Sequence, residues 1–234
     1  MDRIKTDAAV IGPWLNEVTR MVDDLRQVVG KSYPSAEVYL TDARQVSSVL
    51  APASVDAVIT SPPYPNEKDY TRTTRLESVL LGLIHDATEL KTFKGNLVRS
   101  NTRGVYKGDD DDRWIAHHEG IQRIAEQIEQ RRIEMGKTSG FERLYSRVTR
   151  LYFGGMARHL AGLRQVLRPG ARLAYVVGDQ ASYLRVMIRT GQLLAEIAQE
   201  LGYELVRIDL FRTRFATATK ELLREEVVVL RWPG

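Results

Sequence analysis

The sequence predicts an α/β fold whose sheet is interrupted by a long helical insertion. Three observations carry that prediction. Short apolar strand patterns lie before residue 66 and again after residue 170. Between them, residues 66–150 are polar and mostly of helical periodicity. The last two strand patterns are separated only by the ten residues FATATKELLR, too short for most parallel crossovers, so these strands should be antiparallel neighbours.

In chain order, residues 14–29 place Trp14, Val18, Val22, Leu25 and Val29 at helical spacing, and Gly30 is a natural stop. AEVYLTDA (36–43) reads as a short strand and ARQVSSVL (43–50) as a helical turn or two. VDAVIT (55–60) is the second strand, joined to the first by fewer than fifteen residues. Within the insertion, RLESVLLGLI (75–84) is an apolar-faced helix, and residues 120–136 form another, with Ile121, Ile124, Ile128 and Ile133 near one face. The intervening residues 94–114 are rich in turn formers. The DDDD run at 109–112 is expected to be solvated or N-capping, because adjacent carboxylates repel and cannot all face one ion. His117 and His118 are expected at a helix start on the surface.

After residue 150 the α/β pattern returns. Residues 151–167 read as a helix ending at RPG, ARLAYVVGD (171–179) as a buried strand, and 183–202 as a helix stopped by Gly202. YELVRIDLFRTR (203–214) and EEVVVLRW (225–232) are the closing strands. The organisation is therefore one domain over 1–234: an N-terminal helix (1–35), strand–helix–strand (36–65), the insertion (66–150) and the C-terminal part of the sheet (151–234).

Composition excludes several chemistries. The 234 residues include no cysteine, which removes disulfides, zinc–thiolate sites and thiol catalysis. Four histidines are a poor metal inventory, and no metal site is expected. The net charge of +4 is compatible with nucleic acid without demanding it. No apolar run approaches the roughly 18–20 residues of a membrane span, and MDRIKTDAAV is no secretory signal, so the expectation is a soluble cytoplasmic protein without a membrane partner.

The most informative stretch is DAVITSPPYPN (56–66). Pro62 and Pro63 cannot donate ladder hydrogen bonds, so an apolar strand runs into a rigid, acceptor-rich corner beside an aromatic ring. A proline-terminated loop is the plain alternative. Ser61-Pro62-Pro63-Tyr64 at a strand end, then a helical insertion, LRPGARLAYVVGDQ and a terminal strand pair, resembles the amino-methyltransferases that modify DNA bases. The serine form preceded by Thr60 is most similar to the cytosine-N4 enzymes; the aspartate form is commoner among adenine-N6 enzymes. The resemblance covers roughly residues 36–234.

This resemblance implies a partial Rossmann-like methyltransferase sheet with S-adenosylmethionine as cofactor and double-stranded DNA as partner. An exocyclic base amine is conjugated and weakly nucleophilic, so it needs acceptors that localise its lone pair. By resemblance, Ser61 Oγ and the Pro62 carbonyl would hold the amine, Pro63 would stiffen the corner, and Tyr64 would stack on a flipped base. Asp42 would contact the adenine of S-adenosylmethionine, with an N-cap for 43–50 as the competing role. Gly178-Asp179 would border the base pocket or cap a helix. Arg72, Arg75, Arg99, Arg103 and Lys107 in the insertion, and Arg212, Arg214 and Lys220 near the end, could meet phosphates, although acidic residues nearby also allow an ordinary solvated face.

One family feature is absent: a glycine-rich cofactor turn resembling DPFxGSG. Gly154-Gly155 lies inside a helical pattern and follows no strand. The first two strands of the fold have no convincing counterpart either. The usual order 3-2-1-4-5-7-6 would place those strands between AEVYLTDA and VDAVIT. The expectation is a split or truncated enzyme, working with a complementary chain or segment that carries the cofactor turn, or as a homodimer. Alone, the chain should bind S-adenosylmethionine weakly or not at all. Alternatives are a non-catalytic DNA-binding or scaffolding subunit, an adenine-N6 enzyme, or a methyltransferase acting on RNA or a protein amide.

Overall fold

The computed structural model describes residues 9–66, 68–216 and 220–234. The chain divides into two units, residues 1–39 and 40–234. In the first, α1 (Ile11–Val28) carries the expected apolar periodicity and ends at Val29, with Gly30 at φ +79° beyond it. That left-handed position suits glycine.

The second unit is built on four strands: β1 (Val55–Thr60), β2 (Leu167–Gly178), β3 (Glu204–Ala216) and β4 (Glu221–Arg231). Their order is β1-β2-β4-β3. β1 and β2 are parallel, while β4 pairs antiparallel with both β2 and β3. This is the 4-5-7-6 portion of the order implied by the resemblance, with the last strand but one at the edge. Between β1 and β2 run α2 (Tyr70–Thr73), α3 (Arg75–Leu80), α4 (Ala87–Gly95), α5 (Glu119–Glu134) and α6 (Tyr145–Leu163); α7 (Thr190–Glu200) joins β2 to β3. No helix among the described residues is long and apolar enough to cross a membrane.

One face of the sheet is covered. Leu173, Tyr175 and Val177 of β2 and Val228 and Leu230 of β4 are buried with Tyr152, Met156 and Leu160 of α6 and Leu194, Ile197 and Ala198 of α7. On the opposite face Ile59 is 85% exposed. The outer edge of β1 pairs with nothing among the described residues.

Several expectations need correction. Residues 36–43 form no strand: the sheet offers them no partner, and a lone strand leaves its backbone groups unpaired. Residues 43–50 do form a short 3-10 helix, Ala43–Ser48. The helix expected over 151–167 runs instead from Tyr145 to Leu163, and RPG falls within β2, where the register with β1 shifts and Gly170 adopts φ +86°. The helix expected from 183 begins only at Thr190, since Leu184 and Arg185 have positive φ and Gln180 bridges to Ile188.

The acidic run is also not simply solvated. Asp111 is buried and paired with Arg44 (2.5 Å) and Arg158 (3.1 Å), and Asp109 takes both ends of the Arg99 guanidinium. Gly154 explains how Asp111 fits: a Cβ there would lie 2.0 Å from the Asp111 carbonyl oxygen. Gly154 therefore serves close backbone packing between α6 and the 3-10 turn Asp111–Ile115, while Gly155 lies against the Val98 side chain. His118 is the N-cap of α5, as a helix-start residue should be, but it is buried; His117 is exposed. Among the described residues no group of three or more His, Asp or Glu side chains is arranged to hold a metal.

Candidate active site

The motif begins where β1 stops pairing, just after Thr60 meets Tyr175 of β2. With Pro62 and Pro63 next, the chain cannot continue the ladder and leaves the sheet at its carboxyl edge. The Ser61 hydroxyl donates to the Val176 carbonyl at 3.3 Å. The same hydroxyl also lies within hydrogen-bonding reach of the Tyr64 phenol. The Pro62 carbonyl accepts no hydrogen bond from the described residues.

Tyr64 is half-buried against Gly178 at the end of β2: a Cβ on Gly178 would sit 3.0 Å from Tyr64 Cε2 and 3.3 Å from Glu225 Cγ. The absent side chain is what lets the ring lie there. Burial raises the Tyr64 phenol pKa, the Ser61 hydroxyl opposes that, and the Glu225 charge adds to it. Beneath, the fully buried Tyr152 hydroxyl has no hydrogen-bond partner among the described residues and lies within electrostatic reach of Tyr64 and Tyr70. The resemblance places Gly178 near a base pocket, but nothing in the sequence pairs it with Tyr64, and Tyr152 has no signal of its own. Their roles follow from a close approach between segments distant in the chain.

Ser61 and Pro63 open onto a cavity of about 530 Å³. Its walls include Thr41 and Ala43 from one side, Asp69 and Tyr70 from the segment after the motif, and Lys94, Leu97, Val98 and Asn101 from α4 and the loop beyond. Asp69 and Lys94 form an ion pair at 2.9 Å with both side chains largely buried. Burial pushes the Asp69 carboxyl up, but the Thr71 hydroxyl and the Lys94 ammonium outweigh it and hold the group below its ordinary value.

Asp42 does not end a strand. It caps the Ala43–Ser48 turn by accepting from the Arg44 amide at 2.9 Å, and it also holds the Arg44 side chain at 2.6 and 2.9 Å. Burial raises its pKa and the Arg44 contacts lower it further, leaving it below the usual range. Its neighbours Thr41 and Ala43, rather than Asp42 itself, line the cavity. Asp179 is not a helix cap either: buried at the end of β2, it accepts from Arg189 at 2.6 Å and Arg224 at 3.0 Å.

The basic residues divide. Arg72 and Arg75 are exposed, and neither has an ion-pair partner among the described residues. Arg103 is exposed with its guanidinium 5.7 Å from the Phe141 ring, and Lys107 is exposed. Arg99 departs from expectation: it is 5% exposed, and its guanidinium is committed to Asp109 and to the carbonyls of Lys94 and Gly95. Arg212, Arg214 and Lys220 lie on the β3–β4 ribbon, which runs beyond the last β2 pairing at Gly178 and Glu225. All three are exposed, and Arg212 pairs with Glu225.

Comparison with known proteins agrees with the family resemblance. The chain is 30% identical over 188 residues to the type II methyltransferase M.AvaI of Nostoc sp., an alignment covering 76% of this chain and 38% of that protein. It is 25% identical over 236 residues to the type II methyltransferase M.BsoBI of Geobacillus stearothermophilus, covering 93% and 45% respectively. The chain is thus a homologue of the type II DNA methyltransferases, and it spans less than half the length of these curated relatives. No family model matches it. Among solved structures, TTHA0409 of Thermus thermophilus, complexed with S-adenosyl-L-methionine, matches 83% of this chain and 54% of its own at 17% identity and a TM-score of 0.40.

Proposed function

We propose that this chain is the SPPY-bearing part of a site-specific DNA methyltransferase. It transfers a methyl group from S-adenosylmethionine to the exocyclic amine of a flipped base, cytosine N4. The observation that carries this reading is the place of Ser61: its hydroxyl bonds the Val176 carbonyl at the strand end and stands at the mouth of a cavity beside the Tyr64 ring. Ser61 Oγ and the Pro62 carbonyl accept the two amine hydrogens, and Tyr64 stacks on the base. The nitrogen lone pair attacks the methyl carbon as the carbon–sulfur bond breaks. Its electron pair stays on sulfur, and the amine releases a proton. Orientation and exclusion of water supply the acceleration, and no covalent enzyme intermediate is needed.

The donor occupies the cavity with its adenine towards Thr41 and Ala43, the neighbours of the Asp42 that the resemblance points to. Arg72, Arg75, Arg103, Lys107, Arg212, Arg214 and Lys220 approach the phosphates of the duplex, positioning it without reading sequence. A complementary chain or segment pairs with the open edge of β1, covers Ile59 and brings the glycine-rich cofactor turn. The unpaired edge and bare face support this, because such an edge is otherwise an aggregation site. The test is methylation of duplex DNA by the chain together with that complement. Ser61→Ala and Tyr64→Ala should each cut the rate by about a hundredfold or more; unimpaired variants would reject the roles.

A second reading, a non-catalytic DNA-binding subunit, is favoured by one observation: no strand of the described sheet leads into a glycine-rich turn. Mass-spectrometric search for bound cofactor in the assembled complex separates the two.

A further inference from the structure

We propose that Asp69 and Lys94 form a subsite for the zwitterionic amino-acid end of the methyl donor; this rests on the methyl-transfer reading above. The pair sits in the wall of the cavity that Ser61 and Pro63 border. Its geometry leaves room for a ligand. Asp69 Oδ1 accepts from the Thr71 hydroxyl at 2.6 Å and Oδ2 from Lys94 at 2.9 Å. Among the described residues, Asp69 is the only partner of the Lys94 ammonium, so two of its three protons are uncommitted, with the side chain only 13% exposed.

Holding an ammonium at that depth with one partner is costly, because burial removes water that a single carboxylate does not fully replace. A polar pair that faces a pocket with bonding capacity left over is the arrangement expected where a ligand completes the set. An α-amino acid end matches it: its carboxylate and ammonium are held close together on one carbon. Laid against the pair, the ligand carboxylate meets the spare protons of Lys94 and the ligand ammonium meets Asp69, so each charge has two opposite neighbours. The remaining walls, with Pro63, Tyr70, Leu97 and Val98, suit the apolar and aromatic parts of a nucleoside thioether. Asp69 is also in the segment leaving the SPPY corner, so occupancy of the subsite would be felt at Ser61 through only a few residues of chain.

The rival explanation is that the pair merely ties α4 to the segment after the motif. Ligand-observed NMR titration of the chain reconstituted with its complement separates the two. The probes are S-adenosylhomocysteine and 5′-methylthioadenosine, which share the nucleoside thioether but differ in the amino-acid end. Wild-type protein should prefer S-adenosylhomocysteine by about tenfold or more, and Lys94→Met should abolish that preference. Lys94→Arg should restore part of the preference, and Asp69→Asn should weaken it. Thermal melts of each variant report folding. Absence of any preference in wild type, a preference that survives in Lys94→Met, or no binding of either probe at millimolar concentration overturns the subsite. The methyl-transfer reading fails on a different result: unmethylated DNA from the reconstituted enzyme.

Discussion

Replacing Gly178 by alanine tests the seat of the Tyr64 ring. The new methyl would lie 3.0 Å from Tyr64 Cε2, 3.4 Å from Cδ2 and 3.3 Å from Glu225 Cγ. Carbon atoms pack best at about 3.5–4.0 Å, so the ring must give by roughly 0.5 Å. Glu225 is buried and held by Arg212, whereas Tyr64 is only half-buried, so the ring yields rather than the strand. The stability cost should fall at the low end of overpacking, about 1 kcal/mol. For a chain of this length that lowers Tm by about 2–4 °C. The stacking surface moves much further in functional terms. A misplacement of about 1 Å costs on the order of a hundredfold in rate, so half of it should cost about tenfold. Thermal denaturation and single-turnover methylation by the reconstituted enzyme measure the two effects. A wild-type methylation rate in Gly178→Ala would refute the claim that Tyr64 is positioned by the missing side chain.

Gly154→Ala should be far more damaging to the fold. Its Cβ would lie 2.0 Å from the Asp111 carbonyl oxygen and 2.9 Å from the Asp112 nitrogen, both backbone. A loss of about 3 kcal/mol or more, seen as a Tm drop of roughly 6–12 °C, is expected by calorimetry. Arg99→Ala should cost about 3 kcal/mol by removing the buried guanidinium that ties Asp109 to the carbonyls of Lys94 and Gly95. Arg214→Ala should leave Tm unchanged but lower DNA affinity, reducing the salt dependence of binding by about one counterion.

His159 sets a pH dependence. One ring nitrogen donates to the Ala43 carbonyl (2.6 Å), the other accepts from the Tyr175 hydroxyl (2.8 Å), and burial holds its pKa below the ordinary 6.5. The unfolded chain therefore takes up the proton first. The stabilisation is complete above pH 6.5 and is lost as pH falls from there through the lower folded value, at about 1.4 kcal/mol per unit of difference. The fall in Tm between neutral and mildly acidic pH should be shallower in His159→Gln; an identical slope would exclude this origin.

Much of the sheet was legible because its signals are local. The apolar runs of β1, β2 and β4, bounded by prolines and glycines, declare strands without help from the rest of the chain. The link between the last two strands is too short for most parallel crossovers, and they pair antiparallel. Residues 36–43 misled because their alternation is that of a strand, while strand formation depends on a neighbour that the described sheet does not supply. The acidic run misled for the opposite reason. Four adjacent aspartates suggest solvent, yet Asp111 is buried because Arg44 and Arg158, distant in sequence, converge on it.

The sequence by itself determined where β1 must stop, that Ser61 and Tyr64 flank two rigid residues, and that thiol chemistry is excluded. These follow from covalent properties of single residues: the missing N–H of proline and the missing thiol of cysteine. Only the tertiary structure decided that Ser61 reaches the Val176 carbonyl, that Gly178 makes room for Tyr64, that Arg99 is a buried strut, and that Asp69 and Lys94 share a cavity wall with the motif. Each of those is a meeting of segments separated by many residues. No local preference encodes such a meeting; it exists only after burial of the apolar face has chosen which segments lie side by side.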